Sequence, residues 1–229
     1  MSHEIFANDT AAFTGRPAWH QLGDTIPTEV ARTQTCVQYV QAARGDWPVE
    51  MFEIFAEVMV AGPDGMPVVE RIPLDDFRAL VRMDDLTPLH VHGKGYTPSP
   101  NIELPEYLDA INEAAHDGRV LDPDAWVTMK GGRVLAMTGK FRDPITLPGG
   151  DVIEPYVVSS NAHNASQSSR TRSNMFRVVC RNTHLASMMA KVRVDISIRH
   201  TRNRAERVEV AKRDLAALEI GRASCRERV

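Results

Sequence analysis

The stretch WVTMKGGRVLAMTGKF, residues 126–141, constrains the fold more than any other part of the chain. Two apolar runs flank Gly131-Gly132, and paired glycines supply the positive φ that a tight hairpin turn needs. Two further stretches repeat the device. DWPVEMFEIFAEVMV (46–60) and MPVVERI (66–72) enclose a Pro-Asp-Gly turn, and ITLPGGDVIEPYVVSS (145–160) turns at Gly149-Gly150. Hairpins make sequence neighbours antiparallel. No strand–helix–strand pattern and no internal repeat competes with that arrangement.

The remaining segments are shorter signals. Residues 28–43 read as an amphipathic helix with Val30, Val37 and Val40 apolar, and 103–115 as a helix with Leu104, Leu108, Ile111 and Ala115 on one face. FRALVRMDD (77–85) is a short strand or connector, and LHVHGKGYTP is a strand ending at Pro98. NAHNASQSSRTRSN (161–174) reads as a loop too polar to bury. FRVV (176–179) enters a strand that ends at a buried Cys180, and NTHLASMMA starts a helix with Asn182 or Thr183 as N-cap. KVRVDISIRH places Val192, Val194, Ile196 and Ile198 on one strand face. The segment 201–218 puts Val208, Ala211, Leu215 and Leu218 along a helical stripe. The expected class is α+β, with a mainly antiparallel, hairpin-rich sheet packed with three to four helices in one domain over residues 1–218.

The last eleven residues, EIGRASCRERV (219–229), read as the conceptual translation of a sequencing-adapter oligonucleotide and are set aside as a non-native tail. Cys36 and Cys180 then remain, without CxxC spacing, which points to reduced thiols and a cytoplasmic location. No run approaches the 18 or more apolar residues of a membrane-crossing helix, and residues 1–10 lack the pattern of an export signal.

Charge is asymmetric. Residues 1–155 carry 12 Lys and Arg against 24 Asp and Glu, whereas 156–218 carry 12 against 4. A basic third joined to an acidic two-thirds implies either an anionic partner or two faces that attract each other.

Several segments occur in a recognisable order: WHQLG (19–23), Trp47, VRMDD (81–85), GKGYTPSPN (93–101), KGGRVLAM (130–137), YVVSSNAHNAS (156–166), FRVVCRNT (176–183) and IRHT (198–201). In this order the chain resembles the phage/plasmid-like protein family, domain of unknown function 932, across most of residues 13–215. The resemblance implies a protein carried by phages, prophages or plasmids that acts on nucleic acid or on host defence. By fold-level analogy it also implies a likeness to single-strand annealing proteins, which combine a hairpin-rich sheet with a basic groove.

The basic constellation is the leading site. Arg170, Arg172, Arg177, Arg181, Lys191, Arg193, Arg199 and Arg202, with Arg204 and Arg207 beyond them, supply the forked donors that phosphate contacts use. The expected function is therefore non-enzymatic binding or annealing of single-stranded DNA by a homo-oligomer. The opposing reading has these arginines paired with the acidic two-thirds.

Other candidates are thinner. Cys180 and His184, with His200, have the residue types of a thiol nucleophile and its base, although an isolated cysteine after an apolar run reads better as structural. His90 and His92 share a strand face, yet spacing specifies no third metal ligand beyond a possible turn back to Asp84 and Asp85. GKG (93–95) and Gly131-Gly132 lack the spacing of a phosphate loop, so no cofactor is expected. The rival functions are an enzyme or host-defence modulator with a Cys/His site, and a protein–protein interaction module.

Overall fold

The computed structural model describes residues 5–16, 23–115, 119–146, 149–190, 195–201, 203, 206–211 and 213–214. In chain order it contains strands β1 (Ala11–Thr14) and β2 (Asp24–Ile26), helices α1 (Thr28–Ala31) and α2 (Cys36–Ala42), and strands β3 (Val49–Ala61), β4 (Pro67–Arg82) and β5 (Pro88–Gly93). Helix α3 (Glu103–Glu113) follows, then β6 (Leu121–Met129), β7 (Val134–Phe141), β8 (Ile145–Thr146), β9 (Val152–Ile153), β10 (Tyr156–Ala162) and β11 (Ser169–Asn174). Helix α4 (Arg181–Met189) and strand β12 (Asp195–Ile198) complete the named elements, and residues 206–211 are helical.

Seven strands form the main sheet in the order β12-β11-β10-β7-β6-β1-β2, and only β1 with β2 is parallel. The β3-β4-β5 sheet and the small β8-β9 hairpin are antiparallel. The fold is thus α+β and mostly antiparallel, because the hairpin turns dictate it.

The 126–141 hairpin forms with Lys130, Gly131 and Gly132 all at positive φ. The Asp9 carboxylate accepts from the amides of Gly131 (3.0 Å) and Gly132 (2.7 Å), so a side chain from outside the hairpin holds the turn. A Cβ on Gly132 would lie 2.9 Å from the Trp47 ring, which adds a close approach to the backbone requirement.

Alternation along the central strands sorts side chains onto two faces. On the first face Trp126, Leu135, Met137 and Val157 pack with α2, α3, Leu80 and Leu89 of the three-stranded sheet, Val208 and Ala211. On the second, Val127, Ala136 and Val158 pack against Val178 and Met188. The sheet is therefore covered on both sides, and the 175–190 segment covers the second.

Helix 28–43 is broken into two. Thr35 caps α2 with its hydroxyl on the Gln38 amide, and the buried face is Cys36, Tyr39 and Val40, whereas Val30 is exposed. Asp109 of α3 accepts from the amides of Cys36 and Val37, satisfying orphan donors that the sequence of α2 alone cannot. FRALVR (77–82) proves to be the end of β4, continuous with PVVERI, and Met83–Asp85 form the turn after it.

Two readings of the basic third are corrected. The polar stretch 161–174 is not an exposed loop: its second half is β11, and Asn161, His163, Ser169 and Thr171 are buried. A polar strand can lie inside when its groups satisfy one another, as Ser159 with Thr171 (2.8 Å) and Ser169 with Asn161 (3.2 Å) do here. FRVV, conversely, is irregular, because β11 already fills the sheet position and Arg177 is drawn to another strand. Cys180 is the N-cap residue of α4 and only half-buried, and Thr183 at the third helical position returns its hydroxyl to the Cys180 amide. Leu215, Leu218, Val192, Val194 and the 219–229 tail lie outside the described residues.

Candidate functional site

A cleft of about 700 Å³ opens where the ends of β1, β6, β7 and β10 meet α1. Register builds it: Tyr156 pairs with Lys140, and Lys140 with Asp122, which sets three polar residues side by side. Between Pro123 and Ala125 the register slips, and this bulge turns the Asp124 carboxylate toward Arg177. Five cationic side chains line the cleft (Arg16, Arg32, Lys140, Arg142 and Arg177) against Asp122, Asp124 and Glu154.

The pairing within it is uneven. Arg177 donates to Asp124 (2.9 Å) and to the carbonyls of Arg16 (3.0 Å) and Thr14 (3.1 Å), so its fork is consumed. Burial pushes the Asp124 carboxyl up, and the Arg177 charge and hydrogen bond pull it back only in part. Lys140 holds Glu154 at 2.5 Å and Arg142 grips Asp122 with two nitrogens, the shorter contact 2.8 Å. The Lys140 hydrogen bond keeps the Glu154 carboxyl below its usual range. Arg32 reaches Asp122 only at 3.9 Å with its side chain 64% exposed, and Arg16 has no ion pair among the described residues. Two cations of the cleft thus retain free charge. Burial, then the charges of Asp124 and Glu154, push the Tyr156 phenol up, so it stays a neutral donor to Glu154 (3.1 Å).

Among the described residues, the arginines singled out by sequence do not line one groove. Arg170 forms a bidentate pair with Asp195, and Arg172 is buried, donating to the carbonyls of Ser187 and Ala190 at the end of α4. Those are orphan carbonyls of a helix terminus, and Arg172 acts as their cap. Hydrogen bonding from Arg170 holds the Asp195 carboxyl below its usual range. Arg177 lies in the cleft instead, and Arg181 contacts His184. Arg199 and Arg207 are exposed. Lys191, Arg193, Arg202 and Arg204 lie outside the described residues, as do Trp19 and His20.

Cys180 and His184 are not brought together as nucleophile and base. A guanidinium only donates, so the Arg181 contact (2.8 Å) fixes His184 Nδ1 as acceptor and Nε2–H as donor to Ser160 Oγ (3.0 Å). Ser160 also accepts from Gln167 and donates to the Leu135 carbonyl, which completes its valences. Burial, with the Arg181 charge adding, lowers the His184 pKa to about 4. Partial burial pushes the Cys180 thiol up, but the backbone and side-chain hydrogen bonds of Thr183 outweigh it and leave the thiol below its ordinary value.

Of the segments that carried the family resemblance, Trp47 and residues of VRMDD, GKGYTPSPN, YVVSSNAHNAS and IRHT meet in one network, while Val178 of FRVVCRNT packs on the second face of the sheet. His92 donates to the His163 carbonyl (2.7 Å), His163 to Asn101 (2.9 Å), and Asn101 to the Gly45 carbonyl (2.9 Å). Tyr96 stacks on His92 at 3.6 Å with His200 beyond it at 5.1 Å, while Trp47 lies between His163 and the Arg82 guanidinium. His92 is engaged in this network and His90 is exposed; Asp84 and Asp85 pair with Arg82 instead. Among the described residues no three His, Cys, Asp or Glu side chains are grouped to hold a metal ion. No described helix is long and apolar enough to cross a membrane.

Fold and site together define an α+β protein with a two-faced antiparallel sheet, a charged cleft at one sheet end and a buried histidine-rich network. Residues 88–224 match the family described as Domain of unknown function (DUF932), and the chain belongs to that family. No curated protein and no solved structure matches the chain.

Arg16, Arg32, Lys140 and Arg142 were not among the sequence candidates. They sit in the acidic two-thirds; strand register places Lys140, and the approach of α1 to the end of β1 adds Arg32 and Arg16.

Proposed function

We propose that the protein binds single-stranded nucleic acid, with a backbone phosphate seated in the cleft beside Arg16 and Arg32, as a non-enzymatic component of DNA handling or annealing by a phage or plasmid. The convergence of five cationic side chains on a cleft of about 700 Å³ carries this reading. A space of that size takes a nucleotide-sized group and is too small for a duplex. Arg32 and Arg16 supply charge that the internal carboxylates among the described residues leave uncompensated. Arg170 and Arg172 enter the reading only as supports of the α4 end.

The complete hydrogen bonding of Ser160 and His184 favours binding over nucleophilic catalysis at that pair. Fluorescence anisotropy with a labelled oligothymidine tests the proposal. Binding at low salt that falls severalfold in Arg16→Ala and Arg32→Ala supports it, and absence of binding at low salt removes it.

A further inference from the structure

The cleft is not charge-balanced. Three ion pairs close within it: Lys140 with Glu154 (2.5 Å), Arg142 with Asp122 (2.8 Å) and Arg177 with Asp124 (2.9 Å). Its lining holds five cations against these three carboxylates, so two positive charges, those of Arg16 and Arg32, are left over among the described residues. Asp122 does not claim Arg32. That carboxylate lies 3.9 Å from Arg32 and is already met by Arg142 and by Arg119 (3.3 Å), a cation outside the lining.

An excess of two charges discriminates between kinds of phosphate. An internal phosphodiester carries one negative charge and leaves one of the two arginines uncompensated. A phosphomonoester carries about −1.5 to −2 at neutral pH and has three terminal oxygens. Those oxygens can accept from both guanidinium forks at once.

The two charges enter the cleft from separate elements, since Arg16 follows the end of β1 and Arg32 is the C-cap of α1. A neutral donor joins them. Gly15, next to Arg16, stands at a φ of 67°, and a Cβ there would come within 3.1 Å of the Thr28 hydroxyl, which lines the same cleft. The bare glycine keeps the space beside that hydroxyl open.

We propose that the cleft takes a nucleotide phosphomonoester, the terminal phosphate of a strand or a free mononucleotide, in preference to an internal diester. This rests on the nucleic-acid reading above and narrows it from any backbone phosphate to a terminal one.

The test uses the 229-residue chain and three labelled oligothymidines of one length, 5′-phosphorylated, 3′-phosphorylated and unphosphorylated, in fluorescence anisotropy, with calorimetric titration of thymidine monophosphate beside them. At least one phosphorylated strand should bind about tenfold more tightly than the unphosphorylated one, the gain of one charge-assisted hydrogen bond. Arg16→Ala/Arg32→Ala should abolish that difference without changing thermal melting, because both side chains are exposed. Binding of thymidine monophosphate without binding of any strand supports the phosphomonoester, makes the free nucleotide its source, and removes only the strand reading. Equal binding of the three strands overturns the inference and leaves the strand reading standing. A phosphate preference that survives in the double variant also overturns it, and failure of every probe to bind overturns both.

Discussion

Acid should weaken the protein through His184 well before carboxylates titrate. Its Nδ1 accepts from Arg181 and its Nε2–H donates to Ser160, so the neutral ring fits and a protonated ring would point a second donor at a guanidinium. The folded pKa of about 4 lies below the ordinary histidine value of 6.5, so the native state binds fewer protons than the unfolded chain across that window. Stability is therefore full above pH 6.5 and is lost as the pH falls toward 4. At 1.36 kcal/mol per unit, the linkage amounts to about 2 kcal/mol between pH 7 and pH 5, and about 3 kcal/mol by pH 4. His92, also lowered by burial, acts in the same direction, so the test is a difference between proteins. Urea unfolding at pH 7, 6 and 5 should show the parent losing about 2 kcal/mol more than His184→Gln, which keeps a donor for Ser160 but does not titrate. Parallel pH profiles for the two proteins would refute the assignment of neutral His184.

Arg172→Met should cost about 2–4 kcal/mol in denaturant unfolding, because it leaves the Ser187 and Ala190 carbonyls uncapped inside the fold. Gly132→Ala should cost about 2–4 kcal/mol by the same assay, combining a left-handed backbone position with a Cβ against the Trp47 ring. Brief alkylation of the native protein, mapped by peptide mass spectrometry, should modify Cys180 and spare Cys36. Burial, then the Asp109 charge, push the Cys36 thiol up, whereas Cys180 is half-exposed with its thiol lowered.

The hairpins at 126–141 and 46–72 were legible because turn chemistry is local: glycine at positive φ and apolar runs on either side suffice. Helix α3 was legible for the same reason, since Leu104, Leu108 and Ile111 recur at helical spacing. Strand β11 was not, because SRTRSN has no apolar side chains and its burial depends on partners elsewhere: Ser159, Asn161, Asp195 and the end of α4. The split between α1 and α2 carried a local signal that the periodicity reading passed over, the Thr35–Gln38 capping box, and only its second support, Asp109 from 73 positions away, is non-local. For the site, composition located the basic third but not which arginines stay free. Arg170, Arg172 and Arg177 are all engaged, and the free charge of the cleft comes from Arg16 and Arg32, which only the packing of α1 beside β1 brings together.

The salt dependence of oligothymidine binding tests the cleft most directly. For single strands log K falls with log salt by roughly 0.7 per phosphate contact, so three or four contacts give a slope of about −2 to −3. The Arg16→Ala/Arg32→Ala double variant should weaken binding and make the slope shallower by about 1.4. An unchanged slope in the double variant, or binding indifferent to salt, would contradict a phosphate-binding role for the cleft.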